Sequence, residues 1–244
     1  MLKFYFVRAS RDIFGHGILI VLPVILIAFF NFIYRDNGLI SDINGNASPF
    51  ITVLTIGFAL TFQIYGGVLS YENIATDFYS PMQGRLLASP KEPSSLILSI
   101  VSTSIVISFM QTLVVLLFSI FVLNAVIPSI LVVLAVMIVS IIVNQLIGTF
   151  IILSTGKVKT ATAVMTVYAI VAPMITGLYF PLPDNTFFDL MKKYLTPMAL
   201  ANTAIFGAME KDLGKLLTGV LPLILISMLL YMAIRPLSRK VNKR

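Results

Sequence analysis

Between Pro93 and Gly156 the chain carries no charged residue. Such a run is too long for one membrane crossing, which takes about 20 apolar residues, and too apolar for a hairpin in water. It divides near Asn124–Pro128 into two crossings, 95–123 and 127–154, joined by a tight turn. Inside hydrocarbon each crossing must satisfy its own backbone groups, so each is a helix. The fold class that follows is all-α, a polytopic membrane protein.

The remaining residues agree. Of 244 residues, 58% are hydrophobic and 11% charged, against roughly 25% charged in an average soluble domain. This excludes a soluble globular domain, a disordered chain and a protein that reads nucleic acid through a basic face. There is no cysteine and one histidine, His16. Disulfides, thiol chemistry and multi-histidine or cysteine metal sites are therefore excluded, and no metal is expected. His16, between two glycines, reads as an interfacial residue.

Four further apolar stretches complete six transmembrane helices within a single transmembrane domain, 1–244. They are 17–34, 51–70, 161–180 and 215–234. The first follows Lys3, Arg8 and Arg11 in the order of a signal peptide. It is followed by Asn31–Arg35 rather than a small-residue cleavage site, and reads as an uncleaved anchor with a kink at Pro23. Six crossings put both termini on one side. The segments on that side hold 12 Lys and Arg residues and the opposite segments five. The positive-inside rule then makes both termini cytoplasmic, beside membrane lipids that attract the basic residues.

No Gly-x-x-x-x-Gly-Lys-Ser/Thr loop is present; Gly156-Lys157 is preceded by Ile151 and followed by Val158. The chain therefore does not hold ATP by that device. With the second span ending at residue 70, no Asp or Glu falls inside a span, which argues against proton relay. The spans instead carry uncharged polar residues at helical spacing. Gln63, Asn144, Gln145, Thr162 and Thr166 belong either to helix packing or to a substrate path, and spacing does not choose between them.

Two segments outside the spans are informative. Residues 71–93 mix Glu72, Asp77, Arg85, Lys91 and Glu92 with Phe78, Tyr79, Met82, Leu86 and Leu87. This is an amphipathic cytoplasmic segment that either docks on another protein or rests on the inner leaflet. Residues 181–214 read as polar and proline-containing. Within them, Phe187, Phe188, Met191 and Leu195 line one face of a short outer interfacial or re-entrant helix.

Glu72 followed by Gly84-Arg85-Leu86-Leu87-Ala88-Ser89-Pro90, leading into a long apolar span, resembles the permease subunits of type-two ABC transporters. The outer segment agrees, with Gly177-Leu-Tyr-Phe-Pro181-Leu-Pro183 and then Tyr194-Leu-Thr-Pro197 where the family has an Asn-Pro-like pair; the resemblance implies two short outer interfacial or re-entrant helices there. The resemblance covers essentially the whole chain. It implies a transport subunit, not an enzyme, that pairs with a second permease copy or a sister permease in a bacterial cell membrane. It implies a cytoplasmic ABC ATPase, with ATP and magnesium on that partner and no cofactor on this chain. Its docking residues here are Glu72, Asp77, Gly84, Arg85, Leu86, Leu87, Ser89 and Pro90. The implied activity is ATP-driven export of an amphipathic or hydrophobic cargo, such as a drug, a peptide antibiotic or a lipid-like compound. The competing readings are an unpowered membrane binding or immunity protein that captures a small ligand, and a membrane enzyme. The enzyme reading is disfavoured because Glu72, Asp77 and Asp184 are scattered over two sides.

Overall fold

A computed structural model describes residues 2–9, 13–35, 50–81, 84, 92–179 and 182–240. Among the described residues the chain is all-helical. In chain order the helices are α1 (Leu2–Ala9), α2 (Ile13–Arg35), α3 (Phe50–Phe78), α4 (Pro93–Phe121) and α5 (Ile130–Thr155). They continue with α6 (Val158–Ile175), α7 (Thr186–Tyr194), α8 (Pro197–Glu210) and α9 (Leu213–Lys240). Six of them, α2 to α6 and α9, are long and apolar enough to cross a membrane.

The bundle is built around α3, which is far more buried than any other spanning helix and packs against α2, α4, α5 and α6. Its tightest neighbour is α5. A Cβ on Gly148 would lie 2.5 Å from the Gly67 carbonyl oxygen, and one on Gly67 would lie 2.8 Å from that of Asn144. Backbone thus meets backbone at this crossing, as small residues permit between membrane helices. Around it Ile64, Tyr71, Met137, Ile141 and Ile152 are fully buried.

Local signals explain the helix ends. α4 opens with Pro93 in its first turn, where the missing N–H costs nothing. Between α4 and α5 the chain turns through Asn124 and Ser129, both left-handed at φ 57° and 53°. Thr52 at the start of α3 donates to the Val126 carbonyl at 3.0 Å and ties this turn to the bundle. Only Gly156 and Lys157 separate α5 from α6, so the connection between the crossings read as 127–154 and 161–180 is two residues long, closed by left-handed Gly156 at φ 64°. α2 runs unbroken through the buried Pro23.

Two expectations are corrected. The helix that carries the second span does not end at residue 70. Tyr71, Ile74, Ala75 and Phe78 continue one buried helical stripe, so α3 runs to Phe78 and carries Glu72 and Asp77 on the helix itself. Residues 181–214 are not uniformly polar either. α8 is an apolar, deeply buried helix whose Ala199, Ala201, Ala204 and Ala208 permit close packing among α9 and α5. α7, by contrast, buries none of its residues and leaves Phe187 and Leu190 exposed.

Gly148→Ala is expected to destabilise the bundle by about 1–3 kcal/mol, because the added methyl overpacks a backbone contact. Gly17→Ala, with nothing within 4 Å of the new atom, is expected to leave stability unchanged or slightly raised. Thermal unfolding of the two variants in the same detergent compares them directly.

Candidate functional site

The polar side chains inside the bundle converge on the crossing of α3, α4 and α5. Gln145 is completely buried. Its Nε2 donates to the Gly66 carbonyl at 3.0 Å and to Ser108 Oγ at 2.7 Å. Its Oε1 accepts from Ser70. One amide therefore bonds α5 to both α3 and α4, as a polar group surrounded by apolar side chains requires. Gln63 on α3 donates to Thr112 Oγ1 on α4 at 3.4 Å. Its Oε1 has no protein partner, and Gln63 lines a cavity of about 10 Å³ together with Leu19, Phe62 and Gln111, among others. That is room for about one water molecule. Gln111 Nε2 lies 3.0 Å from His16 Nδ1, so His16 ties α2 to α4.

A second layer joins α3 and α5 to α6. Asn144 Oδ1 accepts from the Tyr168 hydroxyl at 3.3 Å. The Tyr71 hydroxyl donates to Thr162 Oγ1 at 3.1 Å. Gln63, Asn144 and Gln145 are thus committed to neighbouring helices within one chain. Thr162 and Thr166 differ: both are exposed, on a side of α6 shared with the exposed Ile170. The five residues that the sequence groups together therefore fall into a buried set and an outward set.

At the end of α3 the two acidic residues also separate. Glu72 is exposed. Asp77 is 1% exposed and pairs with Arg8 of α1. The Tyr5 hydroxyl donates to the same carboxylate; burial first, and then the Asp77 charge, push this phenol up to about 12. A buried carboxylate needs such partners. The short amphipathic α1, with Phe6 and Val7 exposed, is thereby fastened to the central helix. Gly84 is exposed. Arg85, Leu86, Leu87, Ser89 and Pro90 lie outside the described residues, as does Pro181.

On the opposite face Gly177 turns the chain out of α6 at φ 76°, and the Leu178 N–H donates to the Pro173 carbonyl at 3.0 Å. Pro183 precedes α7, whose N-cap Asn185 accepts from the Phe188 N–H at 2.9 Å. Lys192 lies 3.8 Å from both Asp184 and Asp189. Pro197 occupies the first turn of α8 behind the N-cap Thr196, which accepts from the Ala199 N–H at 3.0 Å. The burial of α8 is missed by a reading that averages polarity over 181–214. Its signal is the charge-free run from Thr196 to Met209.

Gln145→Leu is expected to cost about 1 kcal/mol, the usual size of an interhelical hydrogen bond in a membrane. Arg8→Ala leaves Asp77 buried without its cation and is expected to cost about 3 kcal/mol, whereas Arg8→Ala with Asp77→Asn is expected to recover part of that loss. Melting temperatures in detergent check all three, and equal losses for the single and double variants would contradict the role given to the pair.

No curated protein and no solved structure matches the chain. The family profile of the ABC-2 type transporter matches residues 1–209, which takes in the bundle from α1 through nearly all of α8. Six membrane-length helices, a mixed-charge segment after the second of them and this match agree, and the chain belongs to the membrane subunits of the ABC-2 type transporter family.

Proposed function

We propose that the chain is one permease half of an ATP-driven exporter that moves an amphipathic or hydrophobic cargo. The observation that carries this reading is the family match over residues 1–209. It is supported by a six-span body whose sequence has no phosphate-cradling glycine loop, so the driving chemistry belongs to a separate cytoplasmic ABC ATPase holding ATP and magnesium. The distribution of Lys and Arg favours an inner location for both termini and for residues 72–90 in a bacterial cell membrane.

In this reading Leu86 and Leu87 anchor the docking segment in the ATPase, with Glu72 and Arg85 at its rim. Asp77 takes a different part. Being buried, it positions α1 against the end of α3 and does not meet the ATPase itself. Closure of two ATPases pushes the end of α3. Because α3 contacts α2, α4, α5 and α6, that push reorients the whole half. Thr166 is an exposed polar residue on α6 and a poor neighbour for lipid tails, whereas the Thr162 hydroxyl is already bonded to Tyr71 and Val158. A second permease copy or a sister permease covers that face, and cargo passes between the halves by alternating access.

Purification of the tagged chain from native membranes in mild detergent tests this. A cytoplasmic ATPase is expected to co-purify and hydrolyse ATP. Glu72→Ala with Arg85→Ala is expected to weaken its retention about tenfold, the loss of one or two interface anchors, without changing the elution of the chain. A chain that emerges alone and inert, under conditions that keep other membrane complexes together, would favour the unpowered binding or immunity role.

A further inference from the structure

We propose that the chain holds one anionic phospholipid in the groove between α4, α5 and α9, at the face where both termini lie. The inference goes beyond the permease reading and does not depend on it. The groove is a cavity of about 200 Å³, and its walls separate by chemistry along the bundle axis. At the end of the bundle stand Ser94 and Ser95 in the first turn of α4, with Arg235 toward the end of α9. Deeper along the helices the lining is mostly apolar, through Leu98, Val101 and Leu146, with the fully buried Thr149 as its polar exception. Polar groups over an apolar slot match a phosphate headgroup over an acyl chain. Leu98 is 48% exposed, so the slot opens sideways, the direction from which a lipid arrives.

Arg235 supplies the charge. It is exposed, and its guanidinium carbon lies 5.0 Å from the ring centroid of Tyr231, one helical turn earlier. Its Nη2 donates to the Tyr231 hydroxyl at 3.1 Å, which holds the planar fork at the mouth of the groove. That contact uses one of five N–H donors, and the fork geometry suits two phosphate oxygens at once. The acidic residue beside the groove is Glu92, exposed, whose Oε2 accepts from Ser94 Oγ at 3.2 Å. In sequence, Arg239, Lys240, Lys243 and Arg244 follow Arg235. A basic run of this kind at the end of a spanning helix raises the local concentration of anionic lipid. The groove adds a seat for one molecule.

The test is native mass spectrometry of the purified full chain, released from micelles doped with phosphatidylglycerol or with phosphatidylcholine. The chain is expected to retain one phosphatidylglycerol about fivefold more than phosphatidylcholine, the effect of one basic side chain at a membrane surface. Arg235→Gln is expected to abolish that preference, and Glu92→Gln to strengthen it. Leu98→Trp, at an exposed position on the slot, is expected to lower retention of both lipids. Lys193→Gln on the opposite face is expected to change nothing. Equal retention of the two lipids by the unaltered chain, or a preference that survives Arg235→Gln, would overturn the proposal. Displacement of phosphatidylglycerol by inorganic phosphate would also overturn it, because the site would then be an anion site without a chain requirement.

Discussion

The backbone-to-backbone crossing of α3 and α5 is the contact on which the rest of the bundle depends. With Gly67 and Gly148 face to face, the two helices approach closely enough for Gln145 to reach the Gly66 carbonyl of α3 and Ser108 of α4 together. A side chain at either glycine would move α5 outward and pull that amide from its partners. The same approach seats Asn144 next to α6, where it meets Tyr168. Small residues and polar residues act jointly here. The small ones set the distance, and the polar ones convert that distance into specific bonds in a medium that offers no water as a substitute.

The placement of charge follows the same logic at the ends of the helices. Asp77 is removed from solvent and pairs with Arg8, while the Tyr5 hydroxyl donates to the same carboxylate; this ties to α3 a short helix that also packs against α4 and buries Tyr5 in the core. Lys192 and its two acidic neighbours serve the opposite face, where α7 lies exposed and α8 turns inward. A helix as central as α3, with one end carrying the α1 attachment and an exposed Glu72, is well placed to pass a displacement at that end into the bundle.

Six crossings are legible in the sequence because hydrocarbon punishes charge, and the chain withholds charge over stretches of membrane length. The extension of α3 is less legible. Glu72, Asn73, Thr76 and Asp77 make residues 71–78 look polar on average, while Tyr71, Ile74, Ala75 and Phe78 keep a helical period beneath them. Averaging also hides α8, whose apolar run is too short to span and is flanked by lysines at 193 and 211. Sequence spacing identifies Gln63, Asn144, Gln145, Thr162 and Thr166 as polar positions on helices. It cannot separate the first three from the last two, because burial depends on where α6 lies against α3 and α5. Asp77 illustrates the limit most clearly: in a list of charges it looks like Glu72, and only the arrival of Arg8, 69 residues earlier in the chain, distinguishes them.

Residues 72–90 carry the central claim, that this membrane body is driven by a separate ATPase. The most direct measurement replaces Arg85 with a photocrosslinking amino acid in the full chain and irradiates intact membranes. An adduct with a cytoplasmic ABC ATPase, absent when the same probe occupies Asp184 on the opposite face, is the predicted result. No ATPase adduct at Arg85, or an equal adduct from both positions, would contradict the account.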